Sequence, residues 1–307
     1  MIDVSNLKDA LETLGFVAHG DIHEKVFPEI GCSLKVDFHA KKLIYPNEIK
    51  GRERNNGFDK KENFVVFECV CRLLSKGYRP EHIELEKEWH LGHDAKGGRA
   101  DICVSDTSGN MLFIIECKTW GREYDKALNN TKSDGAQLFS YWQQEQSCKW
   151  LVLYASDLRS GCIAYKAPTI DCSDDANIIL LSKKDKSIKL YRDAHTTSAK
   201  YEAWKETYGS QIHDDLIFSE DSVAYQIGVK PLRKKDLRDF TPDDKIVNKF
   251  EEILRHNNVS DKENAFNRLV ALFICKLVDE STKNEDDEVE FQYKQGTDTY
   301  ETLQDRL

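Results

Sequence analysis

The chain has 307 residues, 40% of them apolar, with nine cysteines and a formal net charge of −10. That is enough to bury a sizeable core, divided between two folding units. No apolar run reaches the ~18 residues that would span a bilayer, and the opening Met1-Ile-Asp-Val-Ser is no signal peptide, so a cytoplasmic protein is expected.

The cysteines are odd in number and scattered, with no Cys-x-x-Cys pair, which reads as buried reduced thiols. The negative balance argues mildly against a nucleic-acid partner. Total charge is a poor guide, however, where an acidic site and a local basic groove coexist.

In chain order, Asn6 to Leu14 reads as a helix, and short strands are expected around Ser33 to Phe38 before Tyr45-Pro46-Asn47 closes this part. Lys50 to Lys61, rich in Arg, Asn, Gly and Lys, reads as an exposed loop. Glu62 to Leu74 places apolar residues at helical spacing, and Gly77 is a suitable C-terminal stop. Ile83 to His90 alternates apolar and charged residues, as a strand with one solvated face does. The loop Gly92 to Gly98 then leads into Arg99 to Ser105, a turn at Asp106 to Asn110, and Met111 to Lys118, which read as two adjacent strands.

After Lys118, Thr119 to Ser133 reads as a polar, mobile connection, and Asp134 as the cap of a helix running to about Gln146. Lys149 to Ala155 is a buried strand and Gly161 to Tyr165 another. Between Pro168 and Tyr208 the pattern weakens, with Asn177 to Leu181 and Ile188 to Tyr191 as candidate edge strands. Strands alternating with helices in this way make a mixed α/β sandwich. Near Phe240 the character changes to two apolar helices, Asp243 to Arg255 and Asp261 to Ser281. The chain stops at Asp305-Arg-Leu307 in what reads as a further helix, as a piece of a longer protein would. The expected division is an N-terminal extension (1–50), a core (51–210), a linker (211–240) and a helical segment (241–307).

The informative stretch is the pair of strands around residues 99 to 118. An apolar strand that ends in Glu116 and Lys118, two residues apart and so on one face, carries a large desolvation cost. Asp101 on the neighbouring strand adds a second carboxylate. Two such carboxylates offer oxygen ligands to Mg²⁺, with Mn²⁺ as a substitute, and the Lys118 ammonium can reach an attacking water or a phosphate. Cys117 points the other way and can contribute only its main-chain carbonyl. A structural Glu–Lys pair at a strand end is the alternative. Acid-x-Lys also occurs at Glu48–Lys50, Asp59–Lys61, Asp94–Lys96 and Asp243–Lys245, but none of these terminates an apolar strand.

Ala100-Asp-Ile and Ile114-Ile-Glu-Cys-Lys118 resemble the PD-(D/E)xK nuclease core. The resemblance is to the form at the N-terminus of type I restriction subunits and of restriction–methylation fusion proteins, and it covers roughly residues 50 to 166. It implies a restriction-endonuclease-like mixed sheet flanked by helices. It also implies metal-binding roles for Asp101 and Glu116, with Lys118 completing the site. A further acidic residue on the preceding helix maps to Glu62, with Glu68 in reserve. The Gln-x-x-x-Tyr of the RecB-like branch maps to Gln137 and Tyr141, four residues apart on one helix face. The usual Pro before the Asp is replaced by Arg99-Ala100.

Separately, Phe240 to Glu280 resembles the start of the helical domain of adenine-N6 DNA methyltransferases, although no Asn-Pro-Pro-Tyr and no Gly-rich cofactor loop is present. These resemblances imply an Mg²⁺-dependent DNA endonuclease of a restriction–modification system in phage defence. Its partners would be double-stranded DNA and methyltransferase and specificity domains or subunits, with no membrane. A non-catalytic DNA-binding or scaffold domain is the alternative.

His90 and His93 lack third and fourth ligands for zinc. The basic stretches Lys183 to Lys186 and Lys230 to Lys235 could follow phosphates or lie in solvated loops. Trp120, Trp142 and Trp150 read as packing residues.

Overall fold

The computed structural model describes residues 2–91, 95–106, 109–219, 232–237 and 262–292. The chain divides into two compact units, Met1–Lys230 and Pro231–Lys294.

In the first unit, helix α1 (Leu7–Thr13) precedes four short strands, β1 (Val17–His19), β2 (Ile22–Phe27), β3 (Cys32–Asp37) and β4 (Lys42–Ile44). These pair in sequence order as an antiparallel sheet. Helix α2 (Lys61–Lys76) follows and buries nearly its whole length, from Asn63 through Leu74. Gly77 ends it in the left-handed conformation (φ 97°), and the Gly77 and Tyr78 amides close back on Leu74 and Leu73.

The central sheet is built from β5 (Ile83–Leu91), β6 (Ala95–Ser105), β7 (Met111–Cys117), β8 (Trp150–Arg159), β9 (Cys162–Lys166) and β10 (Thr169–Asp171). Its order is β10-β8-β7-β6-β5, with β9 pairing the extended end of β8. Only β7 and β8 run parallel, so the sheet is mixed. The crossover between them carries helices α3 (Arg122–Asp134) and α4 (Ala136–Gln144). Strand β7 is buried at every position, as a central strand covered on both faces must be. Ile115 and Cys117 pack in the layer with α2, while Ile114 joins Phe139, Tyr141 and Trp142 of α4 in the opposite layer. This is the α/β architecture that the resemblance implies: a restriction-endonuclease-like mixed sheet flanked by helices.

Several expectations are corrected. Residues 122–134 form α3 rather than a mobile connection, because Tyr124, Ala127, Leu128 and Thr131 recur at helical spacing and face inward. Helix α4 does not start from an Asp134 cap: Asp134 is the last residue of α3, and Gly135 (φ 77°) joins the two helices. A Cβ at Gly135 would stand 2.7 Å from the Phe139 ring, so a side chain there has neither conformation nor space.

Asn177 to Leu181 is not an edge strand but part of helix α5 (Ala176–Lys184), where the Asp175 carboxylate accepts from the Asn177 and Ile178 amides. Ile188 to Tyr191 is irregular and leads into a 3₁₀ turn at Tyr191–Asp193 and then helix α6 (Thr197–Glu206). Part of the expected 92–98 loop belongs to β6, which begins at Ala95.

In the second unit, the helix expected near Asp261 spans Lys262–Thr282. The helix expected over Asp243 to Arg255, the end at Asp305 to Leu307, His93 and Lys230 lie outside the described residues, as does the side chain of His90. Among the described residues no helix is long and apolar enough to cross a membrane.

Candidate active site

The site forms where β6 and β7 stop exchanging backbone hydrogen bonds. The pairing Ile102↔Ile115 is the last on this side of the ladder. One step further, Asp101 takes over with its side chain, its Oδ2 accepting the Cys117 amide at 2.7 Å. The carboxylate therefore stands at the end of β7, opposite Glu116.

A second irregularity fixes this placement. Ala100 and Ile102 belong to opposite core layers, although residues two apart on a regular strand share a face. The pleat thus inverts at Asp101. Across from it on β5, Glu86 adopts φ 54°, a conformation rare for a non-glycine residue, between Leu85 and Lys87, which pair Ile102 and Ala100.

Glu116 points into the α4 layer, 4% exposed, and its Oε1 accepts the Lys118 ammonium at 2.6 Å. The Lys118 backbone amide remains bonded to Tyr154 O on β8, so the lysine is anchored just beyond the strand end. Its Nζ also donates to Cys117 O at 3.0 Å and to Glu62 Oε1 at 3.3 Å. Glu62 sits in the first turn of α2, where a carboxylate is favoured by the helix dipole. On the opposite side, the Tyr141 hydroxyl donates to Arg99 O at 2.6 Å with Glu116 Oε2 3.1 Å away, and it accepts from Gln137 Nε2 at 3.0 Å. The structure thus brings together Asp101, Glu116, Lys118, Glu62, Gln137 and Tyr141.

The reserve acid, Glu68, serves elsewhere. It is buried, accepts the Arg72 guanidinium at 2.6 Å and the Tyr154 hydroxyl at 2.5 Å, and makes no contact with Lys118. The Cys117 side chain is fully buried beside α2, and only its carbonyl faces the site.

Burial raises the Asp101 carboxyl well above its ordinary range, and the neighbouring Glu116 charge adds to this against the pull of Lys118. Burial also raises Glu116, with Lys118 and Tyr141 opposing. Burial alone would depress the Lys118 amine, but Glu116 and Asp101 outweigh it and hold the amine above the usual lysine value. Two carboxylates crowded against one ammonium is an arrangement of high electrostatic cost, typical of functional sites.

Residue types suited to a metal are oxygen donors: the Asp101 and Glu116 carboxylates and the Cys117 carbonyl. Among the described residues no three His, Cys, Asp or Glu side chains cluster as metal ligands. The donor set fits a hard ion that keeps much of its water and takes one or two carboxylates, as Mg²⁺ does.

Five contributors were not singled out from sequence. Glu86, buried, pairs Arg99 Nε at 2.6 Å and accepts Asn55 Nδ2 at 2.7 Å, and its carbonyl accepts from Arg54 at 3.2 Å. It thereby ties the 50–61 loop to the strand beside Asp101. Gly98 is the fifth: a Cβ there would lie 2.5 Å from the Tyr141 ring. Sequence carries no signal for this group, because Glu86 falls on the charged phase of the alternating strand Ile83 to His90, in step with Glu84 and Glu88. Trp142 and Trp150 are core residues, as expected, whereas Trp120 is half-buried with two cations over its ring.

No curated protein matches the chain. Residues 67–168, which hold Asp101, Glu116, Lys118, Gln137 and Tyr141, match the family model of the type I restriction enzyme R protein N terminus (HSDR_N).

Proposed function

We propose that the first unit is a divalent-metal-dependent DNA endonuclease domain of a restriction–modification system. The observation that carries this reading is the meeting of Asp101, Glu116 and Lys118 at the ends of two adjacent buried strands. Asp101, Glu116 and the Cys117 carbonyl would hold Mg²⁺ or Mn²⁺. When bound, such an ion neutralises a phosphodiester and lowers the pKa of a water.

The chain's own residues do the rest. Lys118, held above the ordinary lysine value, stays an ammonium throughout the working pH range. It serves as a fixed positive charge for a phosphate or an attacking water rather than as a base. Glu62, 38% exposed and already bonded to Lys118, keeps that ammonium directed at the site from the solvent side. Tyr141 meets Glu116 from the opposite side, and Gln137 donates to the Tyr141 hydroxyl. Water attacks in line at phosphorus, and the products are a 5′-phosphate and a 3′-hydroxyl. ATP-driven translocation, methylation and sequence specificity belong to other domains or subunits, and the methyltransferase-like reading of 241–307 is part of this proposal.

One observation favours a catalytically silent DNA-binding or scaffold domain: Lys118 already occupies Glu116 Oε1 and the Cys117 carbonyl. Plasmid DNA incubated with the full chain and Mg²⁺ or Mn²⁺ separates the two readings. Cleavage that chelator stops, and that Asp101→Ala and Lys118→Ala abolish, supports the nuclease. Wild-type-like cleavage by those variants removes the assignment, and DNA binding without cleavage under any metal supports the silent domain.

A further inference from the structure

Beyond the strand ends that carry the acidic site, the chain displays a small cationic ledge. Trp120 lies two residues after Lys118, and its ring is met by two cations from the β8–β9 hairpin. The Arg159 guanidinium carbon stands 4.5 Å from the ring centroid and Lys166 Nζ stands 4.7 Å from it. Lys166 Nζ is also 4.7 Å from the Tyr124 ring, which is buried beneath it. Both cations are exposed: Lys166 at the end of β9, and Arg159 with 56% of its side chain in solvent. Arg159 donates its Nε to Asp157 at 3.0 Å, and among the described residues Lys166 makes no ion pair.

This arrangement differs from an ordinary solvated lysine or arginine. The aromatic faces orient the two side chains and hold their stems, so less rotamer freedom is lost when they bind. With Nε committed to Asp157, the Arg159 guanidinium over the indole still offers its two terminal nitrogens to an anion. The chain as a whole carries −10, so two exposed cations beside an acidic centre are charge-complementary to a polyanion that must otherwise approach a repulsive molecule. The neighbouring cleft of about 630 Å³ sets Lys132 and Lys166 against Asp214 and Asp215. Its mixed charge gives it no such selectivity.

We infer that Arg159 and Lys166, organised by Trp120 and Tyr124, form a backbone-binding track that takes consecutive phosphates of duplex DNA next to the acidic site. This rests on the nuclease reading for its substrate. It adds a part of the surface that contributes affinity but no chemistry.

The test uses the full chain with Asp101→Asn, in chelator, so that no cleavage interferes. Binding to a fluorescently labelled duplex of mixed sequence is measured by anisotropy across a salt series. In the double variant Arg159→Gln/Lys166→Gln, affinity is expected to fall on the order of tenfold, and the slope of log K against log salt to shrink by about 2. Lys189→Gln, an exposed lysine paired with Glu202 and Glu206, serves as the charge control and should leave the slope unchanged. Trp120→Ala should weaken binding while both cations remain, because the cations lose their orientation.

A double variant that matches its parent in affinity and slope, or a control that changes the slope equally, overturns the ledge, as does a parent that binds no duplex. Cleavage by the chain without Asp101→Asn is scored separately, so a failed nuclease reading is distinguishable from a failed ledge.

Discussion

Replacing Tyr141 with Phe removes one oxygen from the centre of the site and little else. The ring stays stacked on Trp89 with centroids 5.4 Å apart, and the apolar contacts within the α4 layer remain. What disappears is a hydroxyl that accepts from Gln137, donates to Arg99 O and lies 3.1 Å from Glu116 Oε2. One proton serves one acceptor at a time, so the hydroxyl contributes one strong bond and a dipole close to a charged group. With its proton turned to Glu116 Oε2 instead, the hydroxyl makes a hydrogen bond to a charged group, worth about 1.5 to 3 kcal/mol, so the chemical step should slow by roughly ten- to a hundredfold.

Stability should fall by about 1 to 2 kcal/mol, because Gln137 and the Arg99 carbonyl lose a partner. Burial, and then the Glu116 charge, raise the Tyr141 phenol far above its usual value, so it never ionises in the working range. The rate penalty should therefore be the same at neutral and mildly alkaline pH. Single-turnover cleavage at saturating metal measures the loss, and duplex binding in chelator should match the parent. Gly98→Ala, whose new methyl would stand 2.5 Å from the Tyr141 ring, should reproduce the defect by displacing the same hydroxyl. Parental rate and metal response in Tyr141→Phe would refute the role given to this side chain.

Glu62→Ala and Glu68→Ala should separate the two acids of α2. Glu62→Ala lowers cleavage with little change in melting temperature, because Glu62 is half-exposed and bonded to Lys118. Glu68→Ala strands the Arg72 guanidinium and the Tyr154 hydroxyl and should cost about 3 kcal/mol or more; cleavage persists at temperatures where the variant is folded. Equal effects on both readouts would show the two roles wrongly divided.

Lys200 is buried with its ammonium 4.0 Å from the Trp142 centroid. Burial lowers its pKa, with Cys172 and Asp174 opposing. Between the folded value and the ordinary lysine value the unfolded chain binds more protons, so this residue makes stability rise with pH across that window. Lys200→Met should abolish that slope and stabilise the neutral protein by about 1 kcal/mol. Urea midpoints at neutral and alkaline pH measure both, and a less stable variant with the parental slope contradicts the argument.

The parts of the fold that were legible in the sequence are those where burial is strong and periodic. Helix α2 and strands β5, β7 and β8 each show their pattern because nearly every inward position is apolar. Helix α3 was not legible because only Tyr124, Ala127, Leu128 and Thr131 face inward, and the rest of its surface is polar. Helix α5 was misread for the opposite reason. Asn177 to Leu181 is a short apolar run whose Leu180 and Leu181 stay exposed, and a run of that length does not distinguish strand from helix. The capping Asp175 was the available signal, since it precedes the run and satisfies the first free amides.

Within the site, the three charged residues at the strand ends stand out in the sequence because charge on a buried strand carries a large desolvation cost. Their mutual geometry could not. It depends on the pleat inverting at Asp101, and that inversion depends on Glu86 adopting a left-handed conformation across the ladder. Neither has a local sequence signature, because Glu86 reads as one more glutamate in an alternating strand. Its conformation is held by three residues from two separate segments: Asn55 and Arg54 from the 50–61 loop, and Arg99 from β6. A strained non-glycine residue held from several directions persists only where the surrounding structure over-determines it. The basic loop that sequence alone presents as solvated is therefore a structural part of the site: it fixes the strand inversion that turns Asp101 toward Glu116.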